Sequence, residues 1–153
     1  MAGVYGGSGR LLRVTARRQR VLAYVTRERE GRKELLVFDI PDLPHAGTQV
    51  PAGRVDPGES AAECLHRELH EEAGLDAIRI VRELPILGEW VAKSEYDNHA
   101  FEVCIEGPDA PDTWEHVVHG DGDDAGFVFV YRWVAVHDDI VLWEGDPTYT
   151  QLR

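Results

Sequence analysis

The most constraining stretch of this chain runs from Gly53 to Leu75, where a loop with glycines at 53 and 58 leads into a short segment crowded with carboxylates. Ser60 and Glu63 have the spacing of a capping box, in which a hydroxyl and a carboxylate satisfy N–H groups that a helix start leaves without partners. The spacing predicts a helix from near Ser60 to about Ala73, with Gly74 as a left-handed stop. At roughly 100° per residue, Ala62, Leu65, Leu69 and Ala73 share one stripe that must pack on the rest of the domain. Glu72 lies beside Leu65 on that wheel, and an inward-leaning carboxylate is costly unless something cationic meets it.

Glu68 and Glu71 continue the acidic arc, because residues three and four apart are neighbours on a helix. Three carboxylates on one face repel one another and raise each other's pKa. A divalent cation that takes hard oxygen ligands relieves this, Mg²⁺ first among them. The alternative is a solvated acidic helix face. Zinc fits less well. His66 and His70 are four apart, but Arg67 stands where a zinc protease needs Glu. His66-Arg67-Glu68 lacks the Pro-Cys-x-x-Cys of zinc deaminases, and Cys64 and Cys104 are the only cysteines. Both histidines fall on the arc expected to be exposed.

At 153 residues and 43% hydrophobic, the chain is long enough for one domain with its own core. Residues 1–17 read as a mobile or edge segment. A net charge of −12 repels nucleic acid, so no nucleic-acid partner is expected. It would also repel a diphosphate, so an acidic small substrate needs metal ions or local arginines as a bridge. The basic run Arg10 to Arg20 is one such source of charge, or else a solvated face. Neither a disulfide framework, a membrane-length apolar run nor a signal segment is legible, so a cytoplasmic protein with no membrane partner is expected.

Val21–Val25 and Glu34–Asp39 read as strands joined by a charged turn from Arg27 to Lys33. A short strand should approach Val50 and end in the glycine loop. Ile78–Arg82, Leu87–Ala92, Ala100–Ile105 and Gly126–Ala135 also have strand character, and Glu106–Ala125 reads as a long loop of the kind that carries function.

The pattern of Gly53, Glu59, Arg67-Glu68-Leu69, Glu71-Glu72 and Gly74-Leu75 resembles the signature box of the Nudix hydrolases, over about a seventh of the chain. The resemblance implies an α/β fold, an α/β/α sandwich around a mixed β-sheet with the box as loop, helix and loop. The last residues, broken by Gly145 and Pro147, offer at most a short version of the second helix. It also implies hydrolysis of a diphosphate bond in a nucleoside diphosphate linked to another group, with Mg²⁺ or Mn²⁺ on Glu68, Glu71, Glu72 and the carbonyl of Ala52. The metal would neutralise the diphosphate, orient it for in-line attack and acidify the attacking water. Arg67 would orient a box glutamate through an ion pair with Glu59. Gly53, Gly58 and Gly74 would allow loop conformations and close approach.

For the general base, Glu68 or Glu71 competes with Glu115, Asp121, Asp123 and Asp124 of the long loop, and Glu115 is favoured. Pro51-Ala52-Gly53 resembles the form seen in ADP-ribose pyrophosphatases and leans the substrate toward a nucleotide sugar, with a nucleoside triphosphate as the variant. Trp90, Tyr96, Phe101 and Trp114 are candidates to stack on a base. A non-catalytic nucleotide-binding regulator and an acidic interaction domain are the competing classes. A homodimer is the default for a symmetric enzyme.

Overall fold

The computed structural model describes residues 17–153, so the glycine-rich start and most of the basic run lie outside the described residues. Strands β1 (Arg18–Arg29), β2 (Arg32–Asp39), β3 (Ala52–Arg54), β4 (Ile78–Leu84), β5 (Tyr96–Ile105), β6 (Thr113–Val117) and β7 (Val128–Ala135) form one mixed sheet, with helix α1 (Ala61–Ala73) between β3 and β4. The sheet order is β4-β5-β1-β2-β7-β6, and β3 pairs with β1 off that path. Only β1 and β5 run parallel; the other pairings are antiparallel.

β1 lies at the centre because Val21 to Thr26 are buried on both faces, as an interior strand requires. Its alternation divides the core in two. Val21, Ala23 and Val25 face α1 together with Leu36, Phe38 and Tyr131. Leu22 and Tyr24 face a second cluster with Trp90, Leu142, Tyr149 and Leu152. Away from β5, β1 is shared between two partners: its residues 26–29 pair with β2 and 20–22 with β3. This division holds the glycine loop against the sheet.

The layer opposite α1 is built from 3₁₀ turns, chiefly Glu89–Lys93 and Thr148–Leu152. Gly145 and Pro147 keep the last segment from forming a longer helix. Three expectations are corrected. Leu87–Ala92 is not a strand, because Gly88 takes φ 103° and opens a 3₁₀ turn there. The loop from Glu106 to Ala125 contains β6, which completes the sheet beyond β7. The charged turn contracts to Glu30 and Gly31, whose φ values of 53° and 76° make the tight reversal that matches strand twist.

One buried charge ties the edge of the sheet together. Glu102 accepts from Lys33 Nζ at 2.7 Å, Arg82 Nε at 2.9 Å and Thr26 Oγ1 at 3.1 Å. Burial pushes this carboxyl up, but the bonds from Lys33 and Arg82 outweigh it and hold its pKa below the ordinary value. Its stabilisation is therefore fully present above the unfolded carboxylate pKa and is lost as pH falls through the folded one. Glu102→Ala should cost about 2 kcal/mol at pH 7, less than a fully buried pair because both cations reach solvent. Chemical denaturation at pH 7 and pH 3 checks this; an equal loss at both would assign the cost to packing.

Candidate active site

The loop-helix-loop segment is held by its own capping chemistry. Ser60 Oγ accepts from Glu63 N at 3.1 Å, and Glu63 Oε1 accepts from Ser60 N at 2.9 Å. At the other end Gly74 takes φ 70°, ψ 23°, and Leu75 N donates to Leu69 O at 3.1 Å, closing a Schellman-type stop. Cys64, Leu65, Leu69, Glu72 and Ala73 are buried. Ala62, expected on that stripe, is exposed, because the contact face is rotated toward Cys64. His66 and His70 are exposed.

Arg67 organises the carboxylates. Its Nε and Nη2 donate to the two oxygens of Glu59 at 2.8 and 2.9 Å, its Nη1 to Glu68 at 2.7 Å and Glu71 at 3.3 Å, and its Nη2 also to the Arg54 carbonyl at 2.9 Å. Hydrogen bonding from Arg67 holds the Glu59 carboxyl down at about 2. Burial pushes the Cys64 thiol up to about 12, so it stays neutral beside them.

Glu72 is only 4% exposed and takes one hydrogen bond from a backbone N–H, Ala52 N at 3.3 Å. Burial raises its pKa well above the ordinary value, and Glu68 and Asp124 raise it further. Glu68 is raised as well, by burial, with Arg67 opposing. Two neighbouring carboxyls are thus held where ionisation is costly.

These groups open into a cavity of about 820 Å³. Its acidic wall carries Glu68, Glu71, Glu72, Arg67, Ala52 and Gly53. The loop after β6 closes over it: His119 N donates to Glu71 O at 3.0 Å, and Asp121, Asp123 and Asp124 line the cavity. Gly120 passes so close that a Cβ there would lie 2.7 Å from Glu71 Oε2. Gly53 is tighter still, because its Cβ would fall 2.0 Å from Glu68 Cδ. Gly53→Ala should therefore displace Glu68 and reduce kcat roughly 100-fold, the usual consequence of misplacing a reacting group by an ångström. Unchanged turnover would remove Glu68 from the machinery.

Glu115 is not brought to this cavity. It sits in β6 between Trp114 and His116, which both turn toward the end of α1, donating to Ala73 O at 3.1 Å and meeting Glu71 O at 2.9 Å. Strand alternation therefore sends the exposed Glu115 the other way, which corrects its choice as the base. Asp124 stands nearer the helix carboxylates, close enough to raise the Glu72 pKa. Among the four aromatic candidates only Tyr96 lines the cavity. Trp90 and Phe101 are buried, and Trp114 stacks on Tyr131 with ring centroids 4.9 Å apart. Trp143, which the sequence did not single out, lines the cavity and is 43% exposed. Its signal was weak, a lone aromatic in a segment broken by glycine and proline.

The donor set suits a hard divalent cation. Glu68, Glu71 and Glu72 offer oxygen only, and the buried carboxyl of Glu72 lacks a cationic partner among the described residues. Among the described residues no three such side chains already converge as a coordination shell. Arg67 Nη1 lies against one oxygen of each of Glu68 and Glu71, Oε1 and Oε2 respectively, which leaves the second oxygen of each carboxylate for a cation.

A mixed sheet with one capped helix, whose buried and half-buried carboxylates line a cleft beside a glycine strand, defines an α/β domain of the loop-helix-loop type. The NUDIX domain model matches residues 16–151, and the chain belongs to the Nudix family. An RNA pyrophosphohydrolase from a Nitratiruptor species is 48% identical over 54 residues, covering 35% of this chain and 30% of that protein. Another from Legionella pneumophila (strain Corby) is 32% identical over 106 residues, 61% of this chain and 58% of that one. The chain thus spans between 30% and 58% of these curated relatives' length. Among solved structures, a C. elegans Ap4A hydrolase in a binary complex superposes with TM-score 0.54 at 21% identity, over 78% of this chain and 82% of that one. A UDP-X diphosphatase does so with TM-score 0.59 at 15% identity, over 95% of this chain and 67% of that one. Both likenesses concern the fold. No helix among the described residues is long and apolar enough to cross a membrane.

Proposed function

We propose that this chain hydrolyses the diphosphate bond of a nucleoside diphosphate joined to another group, with a divalent cation, Mg²⁺ or Mn²⁺, held by Glu68, Glu71, Glu72 and the carbonyl of Ala52. The observation that carries the reading is Glu72, a carboxyl buried against Glu68 at the wall of a large open cavity. A carboxyl that only repels its neighbour is costly in a structural role and useful where a cation binds. The cation would offset the diphosphate charge and acidify the attacking water. The chain's own part is to orient and to accept a proton. Arg67 keeps Glu68 and Glu71 in place, and Glu68, Glu71 or Asp124, in place of Glu115, takes the proton released by the water.

The substrate leans toward an ADP-ribose type or nucleotide sugar, with a nucleoside triphosphate as the variant. The names of the two sequence relatives favour a second reading, removal of pyrophosphate from the 5′ end of RNA. A net charge of −12 works against a long polyanion but not against a single phosphorylated end. One screen tests both: ADP-ribose, nucleotide sugars, dinucleoside polyphosphates, nucleoside triphosphates and a 5′-triphosphorylated RNA oligonucleotide, with Mg²⁺ or Mn²⁺ and then with chelator. Chelator-sensitive release of a nucleoside monophosphate or of pyrophosphate is expected. Nucleotide binding without turnover would favour the regulator instead.

A further inference from the structure

The cavity has a second wall, opposite in character to the first. Arg20, on β1, is half-buried, and its guanidinium carbon lies 5.0 Å from the Tyr96 ring centroid and 6.0 Å from that of Trp143. Its Nε donates to Asn98 Oδ1 at 2.7 Å, its one side-chain hydrogen bond among the described residues. Asn98 is itself fixed, because its Nδ2 donates to Ser94 Oγ at 3.0 Å and to the Tyr96 carbonyl at 3.2 Å. The guanidinium is therefore oriented by a neutral amide, and both terminal nitrogens keep their donors for the cavity.

Trp143 is held with similar care. Its backbone N–H donates to Thr48 O at 2.8 Å. The next two residues, Glu144 and Gly145, take φ values of 61° and 67°, a conformation uncommon for glutamate. Asp146 then anchors the turn: it is buried and accepts from Trp90 Nε1 at 3.2 Å, from Thr148 N at 2.9 Å and from the Tyr24 hydroxyl. An anchored turn thus presents a partly exposed indole. Beside it Arg20, Gln49, Ala52 and Trp143 also line a smaller hollow of about 110 Å³ reaching to Asp146.

We propose that Arg20 and Trp143 form the base-reading subsite of this enzyme, in which a purine stacks on the Trp143 indole while the terminal N–H groups of Arg20 bond its acceptor edge, selecting guanine over adenine. Guanine offers two acceptors, O6 and N7, to an arginine fork, whereas adenine places the N6 amino donor where O6 would be. Stacking tolerates either base, so discrimination falls to Arg20. The proposal rests on the nucleotide-hydrolase reading and, within it, favours a guanosine diphosphate sugar or guanosine triphosphate over ADP-ribose, whose base is adenine. β3 carries Ala52 and Gly53 of the acidic wall and pairs with β1 at Arg20 opposite Arg54, so a base held at Arg20 would leave the phosphates beside the carboxylates.

The test is calorimetric titration of the whole chain in chelator with GMP, AMP and inorganic phosphate, for wild type, Arg20→Met and Trp143→Ala, with thermal melts to confirm that the variants fold. Wild type should bind GMP roughly 10-fold more tightly than AMP. Trp143→Ala should weaken both nucleotides by roughly 10-fold and leave phosphate unchanged. Arg20→Met should abolish the preference for GMP. Equal weakening of GMP, AMP and phosphate in Arg20→Met would make Arg20 a phosphate contact and overturn the assignment, as would equal affinities in wild type. Turnover in the substrate screen without base preference would defeat this inference alone. Preference without turnover would defeat the hydrolase reading alone.

Discussion

Glu72→Gln should abolish at least roughly 99% of turnover, since removing a group proposed to hold the metal is expected to exceed the 10–100-fold effect of losing its supporting groups. The same substitution should make the cation-free protein more stable. Glu72 is buried, and its pKa is raised by burial and by Glu68 and Asp124. Glutamine keeps the volume, keeps an acceptor for Ala52 N and offers Glu68 a neutral donor in place of a like charge. Relieving that repulsion is worth about 1 kcal/mol, the scale of one net hydrogen bond, or about 2–4 °C in Tm for a domain of this size. Opposite signs for activity and stability mark a residue kept for function. Thermal melts in chelator and kcat with Mg²⁺ check both halves. Full turnover would remove Glu72 from the metal set, and a lower Tm would mean that its charged form supports the fold.

Arg67→Ala should act in the same direction on both measurements. It removes five hydrogen bonds to oxygen, two to Glu59, one each to Glu68 and Glu71 and one to the Arg54 carbonyl. Arg67 is 28% exposed, so the loss lies between the surface and the buried limits, at about 2 kcal/mol, or about 4–8 °C in Tm. Activity should fall as well, because Glu68 and Glu71 lose the group that aims them. The stability loss has a pH signature. Glu59 is depressed to about 2 when folded, so its bond to Arg67 stabilises the protein fully above the unfolded carboxylate pKa and fades as pH falls toward 2. The gap in Tm between wild type and Arg67→Ala should therefore narrow from pH 7 to pH 3. Arg67→Lys keeps the charge but loses the two-pronged contact with Glu59, and should recover only part of the loss. An unchanged gap across pH would contradict the ion pair as its source.

What the sequence determined by itself was local. Ser60, Glu63 and Gly74 set the ends of α1 because capping bonds run between residues three to six apart. Periodicity placed Glu68, Glu71 and Glu72 on one arc, and short continuous runs of β-branched, aromatic and aliphatic residues placed the strands that are buried on both faces. The turn at Trp143 and the strand around Glu115 were decided elsewhere. Thr113–Val117 is a strand because β7 supplies its ladder, and the same pairing turns Glu115 away from the carboxylates while the following loop brings in Asp124. Arg20 and Trp143, more than a hundred positions apart, meet because the parallel pairing of β1 with β5 aligns Arg20 with Asn98, and because the buried Asp146 draws the last turn against Tyr24. Caps and periodicity act over a few residues and are written in order along the chain. A cleft with a carboxylate wall and an arginine wall depends on which strands pair and on what covers the far face of the sheet, and those contacts form only once the core has closed.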